Sequence, residues 1–505
     1  MFIRQFQIEG LGHLSTLIGD EEAGLAAVID PRRDVDIYVD AARERGLRIS
    51  HVIETHLHND YVSGGRELAV TTGAEHAIGA GAELAYEHRP MRNGDIAAVG
   101  RLKFSVLDTP GHTPEHVAYA VADTSRAEEP LLIFTGGSLL VGAVGRTDLL
   151  GADHARPYAE LMFHSLHDTL LTHEDFVGIF PTHGAGSLCS TGIGSTPNST
   201  IGFERRYNPL LQPTEVDAFA RLLLAGQPAV PRYFARMRSM NQAGPRVLGG
   251  IPAPAPVSLG ELRRLLAGGA VVVDLRSPRS FAQSHIPGSL SIPAGSSFGT
   301  WLGWVVDLDR SVVFVLPEVE HGEGGASGPA RGADAAAWDD AIRQALRIGQ
   351  ESVLGYLDRG LGAWLGAGLP TESNGRLSVS ELAEAVERAD ADSPLVLDVR
   401  QATEYEAGHV AGAWHIGAGD LPGGLAELPR DGAIAAVCGV GDRASVAAGL
   451  LDAAGFTNVS WVAGGMDAWA AHGFPLERGS GAGGAPRGAR AEDAPFPVEH
   501  DHSHS

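Results

Sequence analysis

The sequence is poor in cysteine, in basic residues and in long hydrophobic runs, and each shortage excludes a class of protein. It has 2 cysteines in 505 residues, Cys189 and Cys438, too few for a disulfide framework and typical of a reducing compartment. Lys and Arg number 38 against 62 Asp and Glu, and the net charge of −24 disfavours nucleic acid and anionic membrane surfaces. There is no apolar run of about 18 residues, nor the basic and apolar segments of a signal peptide. We therefore expect a cytoplasmic protein with no membrane or nucleic-acid partner.

The sequence predicts several domains, two of which are copies of one another. Through about residue 240, short β-rich runs alternate with helical stretches, which predicts an α/β domain. Farther on, segment 271–276 recurs as 395–400, at an offset of 124 residues that is long enough for a whole domain. We predict an α/β domain at 1–243, a linker at 244–256, two related α/β domains with parallel sheets at 257–372 and 376–478, and a disordered tail at 479–505.

Histidines and carboxylates follow the apolar runs of the first domain. His56, His58 and Asp60 come directly after a short apolar run, and alternate residues of an extended chain point the same way, so these side chains can converge on one cation. A lone His-x-His is more often a polar loop. Here three further segments follow apolar runs, and together they predict a metal site: Thr109–His116, Thr135–Ser138 with Gly145–Asp148, and Pro181–Ser187.

In their order, these segments resemble the metallo-β-lactamase superfamily, and within it most closely the persulfide dioxygenases. The resemblance implies an αββα sandwich with one iron(II) that oxidises a low-molecular-weight persulfide with O2 to sulfite. It carries the metal ligands onto His56, His112 and position 137, where relatives have aspartate and this chain has Gly137. Tyr61 stands where relatives have the second-metal histidine, which argues against a dinuclear hydrolase site.

Because Gly137 offers no ligand atom, three outcomes stay open. His58 can complete a His56, His58 and His112 set on iron(II) that leaves positions free for thiol and O2. The same three histidines can instead hold zinc, which has no redox chemistry. Alternatively, the site binds metal weakly and the domain is a scaffold.

Four other residues of the first domain are candidates for a supporting role. Asp60 and Asp148 can accept hydrogen bonds that orient the imidazoles, although an ion pair with Arg146 explains Asp148 equally well. His183 is expected to contact substrate or to be structural. Cys189 is either a small buried apolar residue or a thiol near the metal pocket that holds sulfane sulfur.

Cys438 lies at a predicted strand-to-helix turn. Backbone N–H groups and a helix N-terminus there are expected to lower the pKa of the thiol, and Arg443 suits an anionic sulfur compound. The surrounding segment, 376–478, resembles the rhodanese sulfurtransferases, which implies a cysteine persulfide. The first copy resembles the same fold but has no cysteine, so we expect it to be inactive.

The repeated Asp-x-Arg motif is expected to be structural. Asp274 and Arg276 in the first copy recur as Asp398 and Arg400 in the second, and we expect each pair to form an ion pair. A motif that is present in both copies, with and without a thiol, does not depend on sulfur chemistry.

These expectations combine into a hypothesis of sulfide and persulfide metabolism. Iron-dependent oxidation of a persulfide would yield sulfite, and Cys438 would move sulfane sulfur among persulfide, sulfite and thiosulfate. The alternatives are a zinc-dependent thioester hydrolase of the hydroxyacylglutathione hydrolase type, or a sulfur carrier with a degenerate metal domain. Multi-domain relatives often self-associate, which leaves a homo-oligomer open.

Overall fold

The computed structural model describes residues 1–317, 331–388, 390 and 393–479. These residues form two compact units, the first from Met1–Val271 and Ala294–Ala363, the second from Val272–Pro293 and the chain from Trp364 onward. The predicted disordered tail, residues 479–505, lies outside the described residues except for Gly479. The domain boundaries given above stay predictions. Within the described ranges, no helix has both the length and the apolar character needed to span a membrane.

The first unit contains a mixed six-stranded sheet in which the strands follow chain order. The first three strands are antiparallel and the remaining pairs are parallel. The parallel strand Leu25–Ile29 is almost wholly apolar because both of its faces are covered. The strands are β1 (Phe2–Ile8), β2 (His13–Asp20), β3 (Leu25–Ile29), β4 (Arg48–Ile53), β5 (Glu75–Gly79) and β6 (Arg89–Met91).

A second six-stranded sheet of this unit has the order β14-β13-β10-β9-β8-β7. In β8, the alternate residues Leu102, Phe104 and Val106 are buried, and they pack with Ile29 and Ile53 of the first sheet in one core. The strands are β7 (Ile96–Val99), β8 (Leu102–Asp108), β9 (Val117–Asp123), β10 (Leu132–Gly136), β13 (Gly178–Pro181) and β14 (Ser199–Thr200), and the hairpin β11 (Leu139–Leu140) and β12 (Ala143–Val144) follows β10.

Helices cover the outer faces of both sheets. Tyr38 and Leu68 pack on the first sheet, whereas Met162 and Phe219 pack on the second. The helices are α1 (Asp36–Glu44), α2 (Gly65–Thr72), α3 (Ala152–His164), α4 (Ile201–Tyr207), α5 (Val216–Leu224) and α6 (Phe234–Ala243), with short 3-10 segments at Ala80–Ala82, Leu170–Thr172 and Pro209–Leu211 and a π turn at Ser165–Thr169. The predicted αββα sandwich is thereby confirmed.

The remainder of the chain contains parallel strands, as predicted. In the first unit, β19 (Val353–Leu357) pairs with β15 (Pro256–Val257) and β18 (Val312–Val315). In the second unit, β16 (Val271–Asp274) pairs with β17 (Leu290–Ser291), and a five-stranded sheet has the order β20-β24-β23-β21-β22. Its strands are β20 (Gly375–Ser378), β21 (Leu395–Asp398), β22 (Trp414–His415), β23 (Ile434–Val437) and β24 (Val459–Ala463).

Ten helices accompany these strands among the described residues. They are α7 (Leu259–Ala267), α8 (Pro278–Gln283), α9 (Phe298–Val305), α10 (Arg331–Arg347), α11 (Gly360–Gly366), α12 (Val379–Arg388), α13 (Ala402–Ala407), α14 (Leu421–Gly424), α15 (Asp442–Ala453) and α16 (Gly465–Ala471), with a 3-10 segment at Leu425–Glu427. In α12, the buried Leu382 and Ala385 face the core of the five-stranded sheet.

The repeated Asp-x-Arg motif forms the expected ion pairs. Arg276 Nη2 lies 2.7 Å from Asp274 Oδ2, and Arg400 Nη2 lies 2.6 Å from Asp398 Oδ2. All four side chains are buried, and each arginine also donates to a carbonyl oxygen farther along its own copy. The structural interpretation of this motif is confirmed.

Candidate metal and sulfur sites

Six histidines of the first unit are completely buried and lie close to one another. Segments distant in sequence contribute them: the start of β2, the loop after β4, the loop between β8 and β9, and the loop after β13. Neutral imidazoles tolerate burial only when their nitrogens find partners or ligands. The six are His13, His56, His58, His112, His116 and His183.

The loop after β12 fixes the tautomer of His112. Its Nδ1 lies 2.8 Å from the backbone carbonyl oxygen of Arg146. A carbonyl only accepts, so Nδ1 carries the proton and Nε2 keeps a lone pair. That Nε2 is buried without a hydrogen-bond partner. A buried imidazole nitrogen with a free lone pair is available as a metal ligand.

A series of side-chain hydrogen bonds fixes the tautomer of His56 in the same way. Thr55 Oγ1 donates to Asp30 Oδ2 at 2.9 Å, so the hydroxyl is left to accept from His56 Nδ1, also at 2.9 Å. His56 Nε2 is then the free lone pair, and it too is buried without a partner. Asp30 thus orients an imidazole that it does not itself contact.

His183 completes the donor set. Its Nδ1 lies 3.3 Å from Asp60 Oδ2, which places the carboxylate where it can hold the ring. One ligand atom each from His56, His112 and His183 lie within 4.8 Å of one another. Three imidazole nitrogens at this spacing, once His183 has given up its proton, fit a transition cation such as iron or zinc and leave coordination positions for other ligands.

His58 does not lie in this donor set. Its Nε2 faces Asp30 Oδ1 at 3.4 Å, and its ring stacks on Tyr61 with 4.4 Å between the centroids. Among the described residues, His183 occupies the third place that the sequence assigned to His58. The assumed alternation fails because β4 ends at Ile53, before the first histidine. The signal that was available is the position of His183 directly after a strand; the ligand roles themselves stay predictions.

The space around Gly137 is already filled. A Cβ at this position would lie 2.3 Å from His112 Cδ2. The Gly137 N–H also donates to His116 Nε2 at 2.9 Å, so His116 holds the backbone here and its nitrogen is not free. An aspartate at position 137 would displace His112. The pocket around Gly137 is therefore packed in a way that leaves no space for the aspartate that relatives have at this position.

Electrostatics act differently on the three histidines of the donor set: they keep His56 and His112 neutral, whereas Cys189 and Asp60 raise the pKa of His183 well above its usual value in spite of its burial. Burial, with help from neighbouring imidazoles, lowers the pKa of His112 to about 3 and that of His56 well below its usual value. The neutral form is the one that binds metal. For Asp60, burial acts to raise the pKa, but the charge of His183 outweighs it and the carboxyl pKa is lowered. The pocket thus combines two neutral imidazoles, those of His56 and His112, with an ion pair between His183 and Asp60.

Asp148 and Cys189 occupy the two loops that flank the histidines. Arg146 Nε and Nη2 bind Asp148 at 2.6 and 2.7 Å, which is the ion pair left open above. The Arg146 N–H donates to the Cys189 carbonyl at 2.8 Å and connects the two loops.

Cys189 is fully buried, and it forms a second close group with Asp60 and His183. Burial raises the pKa of its thiol, and Asp60 adds to the effect.

Cys438 lies between the end of β23 and the start of α15, as predicted. The backbone N–H groups of Gly441 and Ala444 donate to its Sγ at 3.1 and 3.4 Å. The expectation of a lowered pKa is wrong, because burial raises the pKa of this thiol more than the amides and Arg443 lower it. The loop solvates a sulfur anion well, but it does so in a site from which water is largely excluded.

Arg443 is bound by a carboxylate that the sequence analysis missed. Its two terminal nitrogens donate to the two oxygens of Glu404, in α13, at 2.6 and 2.7 Å. A signal existed: position 280, the counterpart of Glu404 in the copy without a cysteine, is Ser280. Part of the positive charge expected for an anionic substrate is therefore already neutralised.

Comparisons with known proteins agree with the two kinds of site. The metallo-beta-lactamase superfamily model matches residues 8–171, and the rhodanese-like domain model matches residues 258–367 and 378–472. The chain belongs to the metallo-beta-lactamase superfamily and carries two rhodanese-like domains.

Individual relatives cover either the first part or most of the chain. The mitochondrial persulfide dioxygenase ETHE1 of Bos taurus is 31% identical over 203 residues, 39% of this chain and 70% of the relative. The hydroxyacylglutathione hydrolase of Rhodospirillum rubrum is 30% identical over 236 residues, 44% of this chain and 91% of the relative. A metallo-beta-lactamase structure from Staphylococcus aureus superposes with a TM-score of 0.61 at 30% identity, covering 70% of this chain and 98% of that one.

Proposed function

We propose that this protein is an enzyme of sulfur metabolism that oxidises a low-molecular-weight persulfide to sulfite and transfers sulfane sulfur through Cys438. The observation that carries the first activity is the convergence of His56, His112 and His183 with free ligand atoms. The similarity to persulfide dioxygenases and the rhodanese-like domains support the pairing of the two activities.

The three histidines would hold iron(II), which supplies the redox chemistry that couples O2 to sulfur; zinc lacks that chemistry. The overall reaction balances as R–S–SH + O2 + H2O giving R–SH, hydrogen sulfite and one proton. The chain's own contribution is orientation: the Arg146 carbonyl holds the proton of His112, and Thr55 holds that of His56. Fixed tautomers keep both Nε2 lone pairs available at every turnover.

Cys438 would carry the second activity. Its thiolate attacks the outer sulfur of thiosulfate, the S–S bond breaks, sulfite leaves with the electron pair, and an enzyme persulfide remains. The N–H groups of Gly441 and Ala444, which donate to Cys438 Sγ, would stabilise the thiolate before the attack. Arg443 supplies positive charge for the anionic donor, moderated by Glu404.

Partners and location follow from this chemistry as parts of the same proposal. The partners are a small persulfide or its thiol, sulfite, thiosulfate and O2, without nucleic acid or membrane, and the location is the cytoplasm. Tethering raises the effective concentration of one activity's product at the other, since sulfite accepts sulfane sulfur. A homo-oligomer is compatible with this scheme.

The test is oxygen uptake by full-length protein loaded anaerobically with Fe(II) and given a small persulfide, with sulfite measured in parallel. We expect one sulfite per O2, uptake that is lost in His112→Ala, and uptake that persists in Cys438→Ser. Sulfur transfer from thiosulfate should have the reverse dependence. The division of labour is wrong if either variant loses both activities while it remains folded.

A thioester hydrolase is the second candidate, favoured by the match to 91% of the length of the Rhodospirillum rubrum hydrolase. Tyr61 and Gly137 count against it, because neither supplies the ligands that relatives use to hold two metals. Zinc-loaded protein is therefore expected not to hydrolyse a hydroxyacylglutathione, and rapid hydrolysis would favour this candidate. Sulfur transfer without oxygen uptake by iron-loaded protein would instead favour a sulfur carrier with a degenerate metal domain.

A further inference from the structure

The loop after β4 is held in place by two helices from much later in the sequence. The Asn241 side chain, in α6, donates to the carbonyl oxygens of His58 and Tyr61 at 2.9 Å each. The Val62 N–H donates at 2.7 Å to the carbonyl oxygen of Arg347, the last residue of α10, which belongs to the first unit and to the copy without a cysteine. A carbonyl in the last turn of a helix has no partner within the helix, so it is free to accept this bond. The path of the loop therefore depends on both helices.

The side chain of Arg347 binds a second segment near the same histidines. Its Nε and Nη2 donate to Oδ1 and Oδ2 of Asp34 at 2.8 and 2.7 Å, and both side chains are buried. The same segment begins with Asp30, whose Oδ2 accepts from Thr55 and thereby fixes the tautomer of His56. One residue of α10 thus connects the segment that orients His56 to the loop after β4.

The copy that carries the reactive thiol has no arginine at the corresponding position. The ends of α10 and α15 can be aligned by the glycine that terminates each helix, Gly349 with φ of 83° and Gly455 with φ of 85°. In this alignment Arg347 corresponds to Ala453. The fold of the two copies therefore does not require an arginine here, whereas the contact with Asp34 does.

We propose that the copy without a cysteine is a positioning element of the metal site and that Arg347 is its positioning residue. The side chain of Arg347 holds Asp34 and its carbonyl holds Val62, so the two segments are fixed relative to each other. The orientation of His56 depends on that arrangement. This inference rests on the proposed function only in that the three histidines bind a metal, and it does not depend on the reaction that the metal performs.

Arg347→Ala is expected to fold, because Asp34 retains other cationic partners. Arg32 Nη2 lies 3.0 Å and Arg343 Nη1 lies 3.4 Å from Asp34 Oδ2. The large cost of an unpaired buried charge therefore does not arise. What the change removes is the fixed position of Asp34 relative to the end of α10.

The first test is the affinity of full-length, metal-free protein for Co(II), measured by competition with a chelator. Arg347→Ala should bind Co(II) about tenfold more weakly, as expected when the groups that orient metal ligands are disturbed. Arg347→Lys retains a charged contact with Asp34 and should recover most of the affinity. The matched control is Gln350→Ala, which should leave the affinity unchanged: Gln350 is equally buried, but it donates to the carbonyls of Asp307 and Arg310 within its own copy.

Hydrogen exchange of the metal-free protein gives a second readout that requires neither metal nor activity. Amides of residues 55–64 should exchange faster in Arg347→Ala than in the unchanged protein, and Gln350→Ala should not alter them. Unchanged exchange or unchanged Co(II) affinity in folded Arg347→Ala overturns the proposal, as does an equal loss of affinity in Gln350→Ala. Protein that binds Co(II) with the expected dependence on Arg347, but takes up no oxygen when loaded with Fe(II), supports this inference and refutes the proposed oxidation of persulfides alone.

Discussion

The histidine pocket and the Cys438 loop are both buried, but they have opposite polarity. In the pocket, Nε2 lone pairs of His56 and His112 are left free because the Nδ1 protons are engaged elsewhere. In the loop, N–H groups of Gly441 and Ala444 converge on one sulfur. An acceptor-lined cavity selects a cation, and a donor-lined cavity stabilises an anion. This difference in polarity supports the proposal that one chain serves both a metal and a sulfur anion.

The two sites also differ in how they are assembled. Seven consecutive residues, 438–444, supply the sulfur and its backbone donors, so a local turn builds the loop. Four separate segments build the pocket, and its geometry depends on the packing of both sheets. The loop is therefore expected to tolerate distant changes better than the pocket does.

The largest effect that would test this comparison is in the ligand set. His183→Ala should weaken binding of Fe(II) or Zn(II) at the three-histidine set by at least about 100-fold, because it removes a donor atom. The matched change His58→Ala deletes an equally buried imidazole that points at Asp30, and it should weaken binding by less than about tenfold. Equilibrium dialysis against a competing chelator measures both. Greater loss in His58→Ala would restore the ligand set first expected from the sequence.

A steric change at Gly137 comes next. Gly137→Ala places a Cβ 2.3 Å from His112 Cδ2, and overpacking of this kind lowers the free energy of unfolding by about 1–3 kcal/mol. The control Gly260→Ala meets no neighbour within 4 Å and should leave the urea midpoint of the first transition unchanged or slightly higher. Gly137→Asp should also fail to tighten metal binding. Tighter binding in Gly137→Asp would mean that the pocket accepts the relatives' aspartate after all.

The next smaller effect is the pH dependence of the rate of sulfur transfer through Cys438. Burial raises the pKa of Cys438, so the thiolate fraction at neutral pH is small and the rate of sulfur transfer should rise by roughly tenfold per pH unit until the pH passes that pKa. Stopped-flow transfer from thiosulfate to cyanide between pH 7 and 10 measures the rise. A rate that is already constant at pH 7 would contradict a raised pKa.

The smallest expected effect concerns the charge next to the thiol. Glu404→Gln releases Arg443 from its carboxylate partner and should lower the KM for thiosulfate by about 2- to 5-fold, a modest change because both side chains are partly exposed. Glu406→Gln, on the exposed side of the same helix, is the control and should leave KM unchanged. An unchanged or higher KM in Glu404→Gln would mean that Glu404 orients Arg443 for binding.

Local patterns predicted the α/β character of the chain and the position of Cys438 at a strand-to-helix turn. The repeat at 271–276 and 395–400 marked two related domains, and its Asp-x-Arg pairs form as expected because both partners lie on the same strand end. Cys438 was placed correctly because a strand, a glycine-containing turn and a helix follow one another without interruption. Such features depend on residues within one turn of the chain.

Long-range geometry decided what local patterns could not. The sequence marked His56, His112 and His183 separately, but only packing of the loops determined that His183, rather than His58, joins the other two. Likewise, the carboxylate of Glu404 reaches Arg443 across 39 positions of sequence. No spacing rule covers such distances, because the path between the residues is set by the whole sheet.

By itself, the sequence determined the α/β character, the repeat and the position of Cys438 at a strand-to-helix turn, since strand periodicity and turn composition act over a few residues. The αββα and parallel-sheet architectures were implied by the family resemblances. Only the tertiary structure decided which donors converge, that the His112 ring fills the space beside Gly137, and that burial raises the pKa of Cys438. Desolvation and side-chain convergence are properties of the packed chain as a whole, because they depend on every residue that excludes water from the site.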